Sequence, residues 1–501
     1  MRARVLAGGL AVLVTAGCGT TVPLTSSVNV AQGGGSTGGA LNGSSTGSSV
    51  NGSTGSVVGG STGSAGGALG STGGANPAGT ASAGTSGGAS SGEVLPPGTA
   101  GRVTSPLKLG VVTTELGAAI AALGASSGSS HKSDDGYKAV IKAINAAGGL
   151  AGRKLEPTYE VIDATDSSYQ ADADTTCAAL KDAHVEVVIS DSASTDYGYA
   201  SCLAQAQIPM VTSVPSDTQG LAKALGVFNA FNPSYDRGYG AVVDQLVASG
   251  YITTKSKIGV IRITCGEVSR AYSDTVLPRM RAHHLATPIE YTVSCANGFQ
   301  DAGAYSAAMQ SAVLRFRASS VDRVFVLGSQ ENLLLQYFAE QAQSQGYHPG
   351  YALSSASAPV TLLGASTFPQ AQLPQVHGVG WHPLADTGVD TSLPQQKRCI
   401  SLSKAGGLAP ANIVEDFALY QACSNLFLLE TALKRGDGRA VGAELRSAIL
   451  SLGTSFASTG IIDGATLFAR GRQDGTQLAR EWGYVSSCTC FRYVGRPAVM
   501  A

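Results

Sequence analysis

The chain has 501 residues, a net charge of -1 and only 13% charged side chains. That balance excludes nucleic-acid recognition, which needs a basic face, and no apolar run reaches the ~20 residues of a spanning helix. A low-complexity N-terminal region leaves roughly 400 residues, enough for two ordinary hydrophobic cores.

In chain order, Arg2 and Arg4 precede a short apolar stretch, Val5 to Ala16, of the length found in export signals. Gly19 to about Gly101 is almost wholly Gly, Ser, Thr and Ala. Such a segment cannot bury enough apolar surface to offset its ordering entropy. It is expected to be a flexible tether with a root-mean-square reach of about 50 Å.

From Pro106 the pattern changes. Leu107 to Thr113 is a β-branched apolar run, as in a strand buried on both faces. Tyr137, Val140, Ile141 and Ile144 fall at helical spacing, and Gly148-Gly149 predicts a left-handed cap. Strands follow at Tyr159–Ile162, Val185–Ser190 and Pro209–Thr212, with helices at Gln170–Asp182 and Tyr197–Gln207. A second series takes in strands Lys257–Ile263, Pro288–Val293, Arg323–Leu327 and Tyr351–Ser354. Its helices are expected near Gly238–Ser249, Tyr272–His284, Ala304–Arg317 and Glu331–Gln345. Two runs of alternating strand and helix predict an α/β chain with two doubly wound parallel-sheet lobes. Ligands in such sheets sit at the C-terminal ends of the strands.

Two resemblances sharpen this. Ala16-Gly17-Cys18 after the apolar stretch resembles the lipobox of bacterial lipoproteins, with Thr15 where that pattern has Leu. It implies cleavage after residue 17, acylation of Cys18 and a lipid anchor on the extracytoplasmic face of the cell membrane. Asp135-Gly136-Tyr137 and Ile144-Asn145-Ala146-Ala147-Gly148-Gly149-Leu150-Ala151-Gly152-Arg153 resemble the first helix and turn of the type I periplasmic binding proteins. The likeness is to the branched-chain amino-acid binding branch that serves ABC importers, and it continues through Ile208–Thr212 and Val324–Gly328. It implies three crossovers, with one lobe formed by 106–232 and 360–469 and the other by 233–359 and 470–501. It also implies capture of a small polar or amphipathic solute between the lobes and delivery to a membrane permease. With no CxxC, no metal is expected, nor any cofactor, and the chain is expected to be a monomer.

Beyond Cys18 there are eight cysteines, an even number that in an exported chain predicts four disulfides. Cys177 and Cys202 lie on successive helices flanking one strand, a placement shared with relatives in the family. Cys265 and Cys295 end consecutive strands, and Cys399 and Cys423 lie in consecutive helical segments. Cys488 and Cys490 remain as a tight C-x-C pair, for which both a structural and a redox role stay open.

The resemblance places ligand groups in the loops after the strands. Candidates in the first lobe are Thr114, Glu115, Ser192, Ser194, Thr195, Ser213 and Ser216; in the second they are Glu267, Ser329, Gln330 and Ser355. For each hydroxyl the alternative is a helix cap. Relatives that hold an α-ammonium place an acid where this chain has Ala356, so peptides, amides, sugars and apolar acids stay open as ligands. No HExxH or phosphate-cradling GxxxxGK[ST] occurs, and no catalytic constellation emerges. A ligand sensor or interaction module on the same fold is the alternative to transport.

Overall fold

The computed structural model describes residues 103–115, 131–163, 169–191, 199–223, 226–295, 302–328, 331–355, 368–383, 386, 388, 392–411 and 413–501. The export signal, Cys18 and the tether up to residue 102 lie outside the described residues, as do Ser192, Ser194, Thr195, Ser329, Gln330 and Ala356.

The first sheet holds β1 (Leu107–Glu115), β2 (Leu155–Asp163), β3 (Val187–Ser190), β4 (Met210–Thr212) and β5 (Val227–Asn229). Their order is β2-β1-β3-β4-β5, all parallel. Helices cover both faces, which is why Leu107, Leu109, Val111 and Val112 are all fully buried on one strand. Tyr137, Val140, Ile141 and Ile144 of helix Asp135–Ala146 share one core with Leu426 and Leu429 of helix Ile413–Arg435. Cys177, Leu180, Tyr199 and Leu203 form the core on the opposite face. The helix Asp135–Ala146 ends where Gly148 and Gly149 take φ of +109° and +93°. A Cβ on Gly149 would lie 2.1 Å from the Arg153 carbonyl oxygen, so glycine is required there sterically as well as conformationally.

The second sheet runs parallel through β6 (Ile258–Ile263), β7 (Ile289–Val293), β8 (Arg323–Leu327), β9 (Gly350–Ser354) and β10 (Val376–Gly380) in the order β7-β6-β8-β9-β10. Two antiparallel strands, β11 (Leu478–Val485) and β12 (Cys490–Tyr493), complete that edge, and β13 (Ala498–Val499) pairs with β11. The sheet is therefore mixed, parallel through its first five strands with antiparallel additions. β10 falls within the 360–469 stretch expected for the first lobe, yet it pairs with β9 here. Its sequence accounts for this: Val376 and Val379 are fully buried, and Gly378 lies under Trp482, where a Cβ would come within 2.2 Å of the indole.

Among the described residues, the chain passes between the lobes at 230–234, between β10 and the helix Pro394–Gly406, where 381–383 are described, and at 470–477. The first and third passages run side by side: the Asn229 N–H donates to Gln473 O at 2.9 Å, and the Gly475 N–H to Asn229 O at 2.7 Å. Arg237 clamps the third passage, donating to the Asp474 carboxylate at 2.5 Å and to Thr476 O at 2.8 Å. Disulfides join Cys177 to Cys202, Cys265 to Cys295, Cys399 to Cys423 and Cys488 to Cys490, the four pairs expected from the order of elements.

Candidate functional site

A cavity of about 170 Å³ opens between the lobes at the C-terminal ends of β4, β8 and β9. Val214 and Pro215 reach it from the loop after β4, and Phe417 and Gln421 from helix Ile413–Arg435. Gly328 and Ser355 reach it from the second sheet. Phe231, Asn232 and His382 come from the passages between lobes, and Tyr235 opens the helix Tyr235–Ala248.

Three rings form one wall. Phe231 lies 4.4 Å from His382 and 4.9 Å from Phe417 between centroids, and His382 lies 5.0 Å from Phe417. His382 Nδ1 faces Gly460 O at 2.8 Å, while Nε2 lies 3.0 Å from the Trp381 indole nitrogen and 2.7 Å from Asn232 Oδ1. Both ring nitrogens thus face oxygens, which by itself favours an imidazolium. Burial among aromatic rings outweighs this and pushes His382 down to about 3, the Gly460 contact opposing weakly. The ring is neutral at pH 7, with its proton on Nδ1 toward Gly460. The Trp381 N–H is then shared between His382 Nε2 and Asn232 Oδ1, the latter at 2.9 Å. The Asn232 amide nitrogen donates to Ser213 O at 2.6 Å, fixing which way the side chain points.

The expected ligand residues distribute around this cavity in different ways. Ser355 lines it, and its hydroxyl accepts the Trp381 backbone N–H at 3.1 Å. Ser213 stands just behind the wall, holding Asn232 through its carbonyl and receiving the Gln421 amide at 3.4 Å. Ser216 and Glu267, both fully buried, face each other: the serine hydroxyl donates to Glu267 Oε2 at 3.0 Å. Beside them Arg270 forms a two-pronged ion pair with Asp217. These two contacts join the loop after β4 to the helix Gly266–Ala271 after β6, and so fasten one lobe to the other. The Thr114 backbone N–H donates to the Asp191 carboxylate, and Glu115 ends β1 in register with Asp163. Asp191 is half-exposed overall, but its Oδ1 is buried, and that burial pushes its carboxyl up to about 7 against the backbone donors. Ser192, Ser194, Thr195, Ser329 and Gln330 fall outside the described residues.

Phe231, Asn232, Tyr235, His382, Phe417 and Gln421 are absent from the sequence-derived candidates. All six lie in or beside the passages between lobes or on a long helix, where no strand-end rule points to them. The one available signal is Asn232-Pro233, a chain-direction break directly after the first lobe's last strand.

No protein-family model matches the sequence, and no curated protein sequence matches it either. Solved structures do match. A possible leucine/isoleucine/valine-binding protein from Rhodopirellula baltica superposes with a TM-score of 0.58 at 15% identity, over 78% of this chain and 97% of that one. A solute-binding protein of an ABC transporter from R. palustris, solved with 4-hydroxybenzoate, gives 0.57 at 13% identity, over 79% and 98%. A fatty acid ABC transporter substrate-binding protein from Thermomonospora curvata gives 0.56 at 16%, over 80% and 94%. The chain therefore has the fold of the type I periplasmic binding proteins of ABC transporters. Within that fold, its neighbours include a possible leucine/isoleucine/valine-binding protein and a substrate-binding protein solved with Leu.

Proposed function

We propose that this chain is an extracytoplasmic solute-binding protein that captures a small molecule between its lobes and delivers it to an ABC permease. The observation that carries the proposal is the interlobe cavity, to which both lobes and two of the passages between them contribute side chains. Its described lining combines aromatic rings with neutral amides and a hydroxyl, and His382 adds no charge near neutral pH. An apolar cavity of about 150 Å³ accommodates benzene, so about 170 Å³ suits one six-membered ring with one or two small substituents. A small aromatic acid or amide fits this lining better than a long-chain fatty acid. The 4-hydroxybenzoate bound by the R. palustris protein belongs to that size class.

The test is calorimetry with a panel of hydroxybenzoates, aromatic amides, branched-chain amino acids and fatty acids. We expect saturable binding of a monocyclic aromatic member, weakened by Phe417→Ala about 10-fold or more through loss of ring contact. Binding of long fatty acids alone, or an unaltered affinity in Phe417→Ala, would overturn the assignment.

The reading includes cleavage after residue 17, acylation of Cys18 and a tether through residue 105, with the folded body acting as a monomer. Mass spectrometry of native protein should find Cys18 as an acylated N-terminus, and Cys18→Ser should release the protein from membranes. A wild-type protein cleaved elsewhere and recovered soluble would refute the anchor.

A further inference from the structure

The four disulfides differ in environment: each long-range bond has at least one buried sulfur, with Cys202 and Cys295 half-buried, and the short bond has none. Cys177, Cys265, Cys399 and Cys423 are at most 3% exposed, and their bonds span sequence separations of 25, 30 and 24 residues. The fourth bond spans a separation of 2 and sits at the tip of the β11–β12 hairpin. There Cys488 and Thr489 are exposed and Cys490 is half-buried.

The amount by which folding tightens a disulfide equals the amount by which that disulfide stabilises the fold; its loop-length part is offset, because a longer loop closes less readily in the unfolded chain. Access separates them: each long-range bond keeps at least one buried sulfur, which an attacking thiolate reaches only after local opening, whereas neither sulfur of the short bond is buried. The hairpin does not depend on the short bond. β11 and β12 pair from Trp482↔Tyr493 to Val485↔Cys490, and Phe491 packs on Trp482 and Tyr484 at 5.3 and 5.7 Å. The Tyr493 hydroxyl donates to His382 O at 2.7 Å, and Arg492 pairs with Asp386 at 2.5 Å. Thr489, between the two cysteines, has a φ of +52°, a conformation that costs a β-branched residue energy and relaxes once the ring opens.

We propose that Cys488–Cys490 is a reversible thiol-exchange site for a small solvent-borne monothiol. The thiolate attacks Sγ of Cys488, the more exposed sulfur. A bond forms between the incoming sulfur and Cys488, the Cys488–Cys490 bond breaks, and Cys490 leaves as a thiolate that takes a proton from water. A second thiolate attacks the incoming sulfur of the mixed disulfide, leaving Cys488 as a thiol and releasing the oxidised small disulfide. Two thiols are oxidised for one protein disulfide reduced, and no other oxidant or reductant enters.

The experiment equilibrates the folded full-length protein in glutathione buffers of graded ratio, alkylates free thiols, and maps them by mass spectrometry beside near-ultraviolet circular dichroism. We expect Cys488 and Cys490 to be alkylated at a milder reducing ratio than any of the other six disulfide-forming cysteines requires, with the dichroism unchanged. Alkylation of all eight together, or of a long-range pair first, would overturn the proposal. Cys490→Ser with oxidised glutathione should carry one glutathione on Cys488 while keeping the native dichroism. Faster capture by Cys490 in Cys488→Ser than by Cys488 in Cys490→Ser would refute Cys488 as the sulfur attacked.

Discussion

The Asp217–Arg270 pair joins the two lobes, so breaking it should act on closure and leave each lobe intact. Asp217 has a side chain only 2% exposed, and its remaining partner is the Gly220 N–H at 2.8 Å within its own turn. Arg270→Ala therefore leaves a buried carboxylate nearly uncompensated. Removing one member of a fully buried pair costs about 3–5 kcal/mol. The arginine is 26% exposed, so water replaces part of what is lost, and the cost falls to about 2–3 kcal/mol. Opening the lobes rehydrates Asp217, so the penalty weighs on the closed arrangement alone. The closed-to-open ratio should drop about 30- to 150-fold, and apparent ligand affinity should fall by up to that factor. Calorimetry with the identified ligand reads the affinity, and small-angle scattering reads the lobe separation. Adding Asp217→Asn to Arg270→Ala should recover part of the loss, because no orphaned charge remains. Unchanged affinity and scattering, with a lowered melting temperature, would refute the latch and mark the pair as a support of one lobe only.

Two further outcomes follow from the buried groups and the disulfides. His382 has a folded pKa of about 3 against 6.5 for the free side chain, so the unfolded chain binds more protons between those values. The stability it contributes is present above pH 6.5 and declines by up to about 1.4 kcal/mol per unit as the pH falls toward 3. Asp191, raised to about 7 from 3.8, has the opposite slope over most of that window, gaining stability as the pH falls from 7 toward 3.8. Asp191→Asn should therefore steepen the acid loss and His382→Gln should abolish or invert it; urea titrations from pH 4 to 7 check both, and parallel curves for the variants and wild type would contradict the assignment. Replacing both Cys177 and Cys202 by Ser should cost roughly 3.5 kcal/mol, given a separation of 25 residues. Chemical denaturation measures this, and a loss under about 1 kcal/mol would show that the entropic estimate does not apply to this loop.

How much of the molecule is legible in its sequence depends on whether a segment's periodicity or its surroundings decide its form. β8 is read to the residue, Arg323–Leu327, because a strand buried on both faces is a continuous apolar run between polar ends. The cap at Gly148-Gly149 is equally legible, since positive φ at both residues favours glycine strongly. β10 is not, because Gly378 and Gly380 carry no strand propensity; they are there to admit Trp482 and Tyr493, which arrive about 100 residues later. The same holds for the cavity. Strand-end loops bring Ser355 to it by a rule of topology, whereas Asn232, His382 and Phe417 meet only because separate passages and a long helix converge in space. Ser216 and Glu267 show the converse: Ser216 lies on the expected loop and Glu267 opens a helix where a loop was expected, but the lobes approach closely enough there for the two to bond to each other.

The polar floor of the cavity is also the axis about which the lobes would turn. Asn232, Trp381 and His382 belong to the first and second passages and are hydrogen-bonded to one another, and the first passage is pinned to the third through Asn229. Points on a rotation axis do not travel. A solute seated against Asn232 and His382, which Trp381 holds from behind, would keep those contacts while the lobes swing apart, losing only those farther out. Capture would then proceed in two strokes, a loose docking on a stationary seat followed by a lid descending from the periphery. Discharge into a permease would need something to unseat the solute from the pivot, because spreading the lobes would not do so alone.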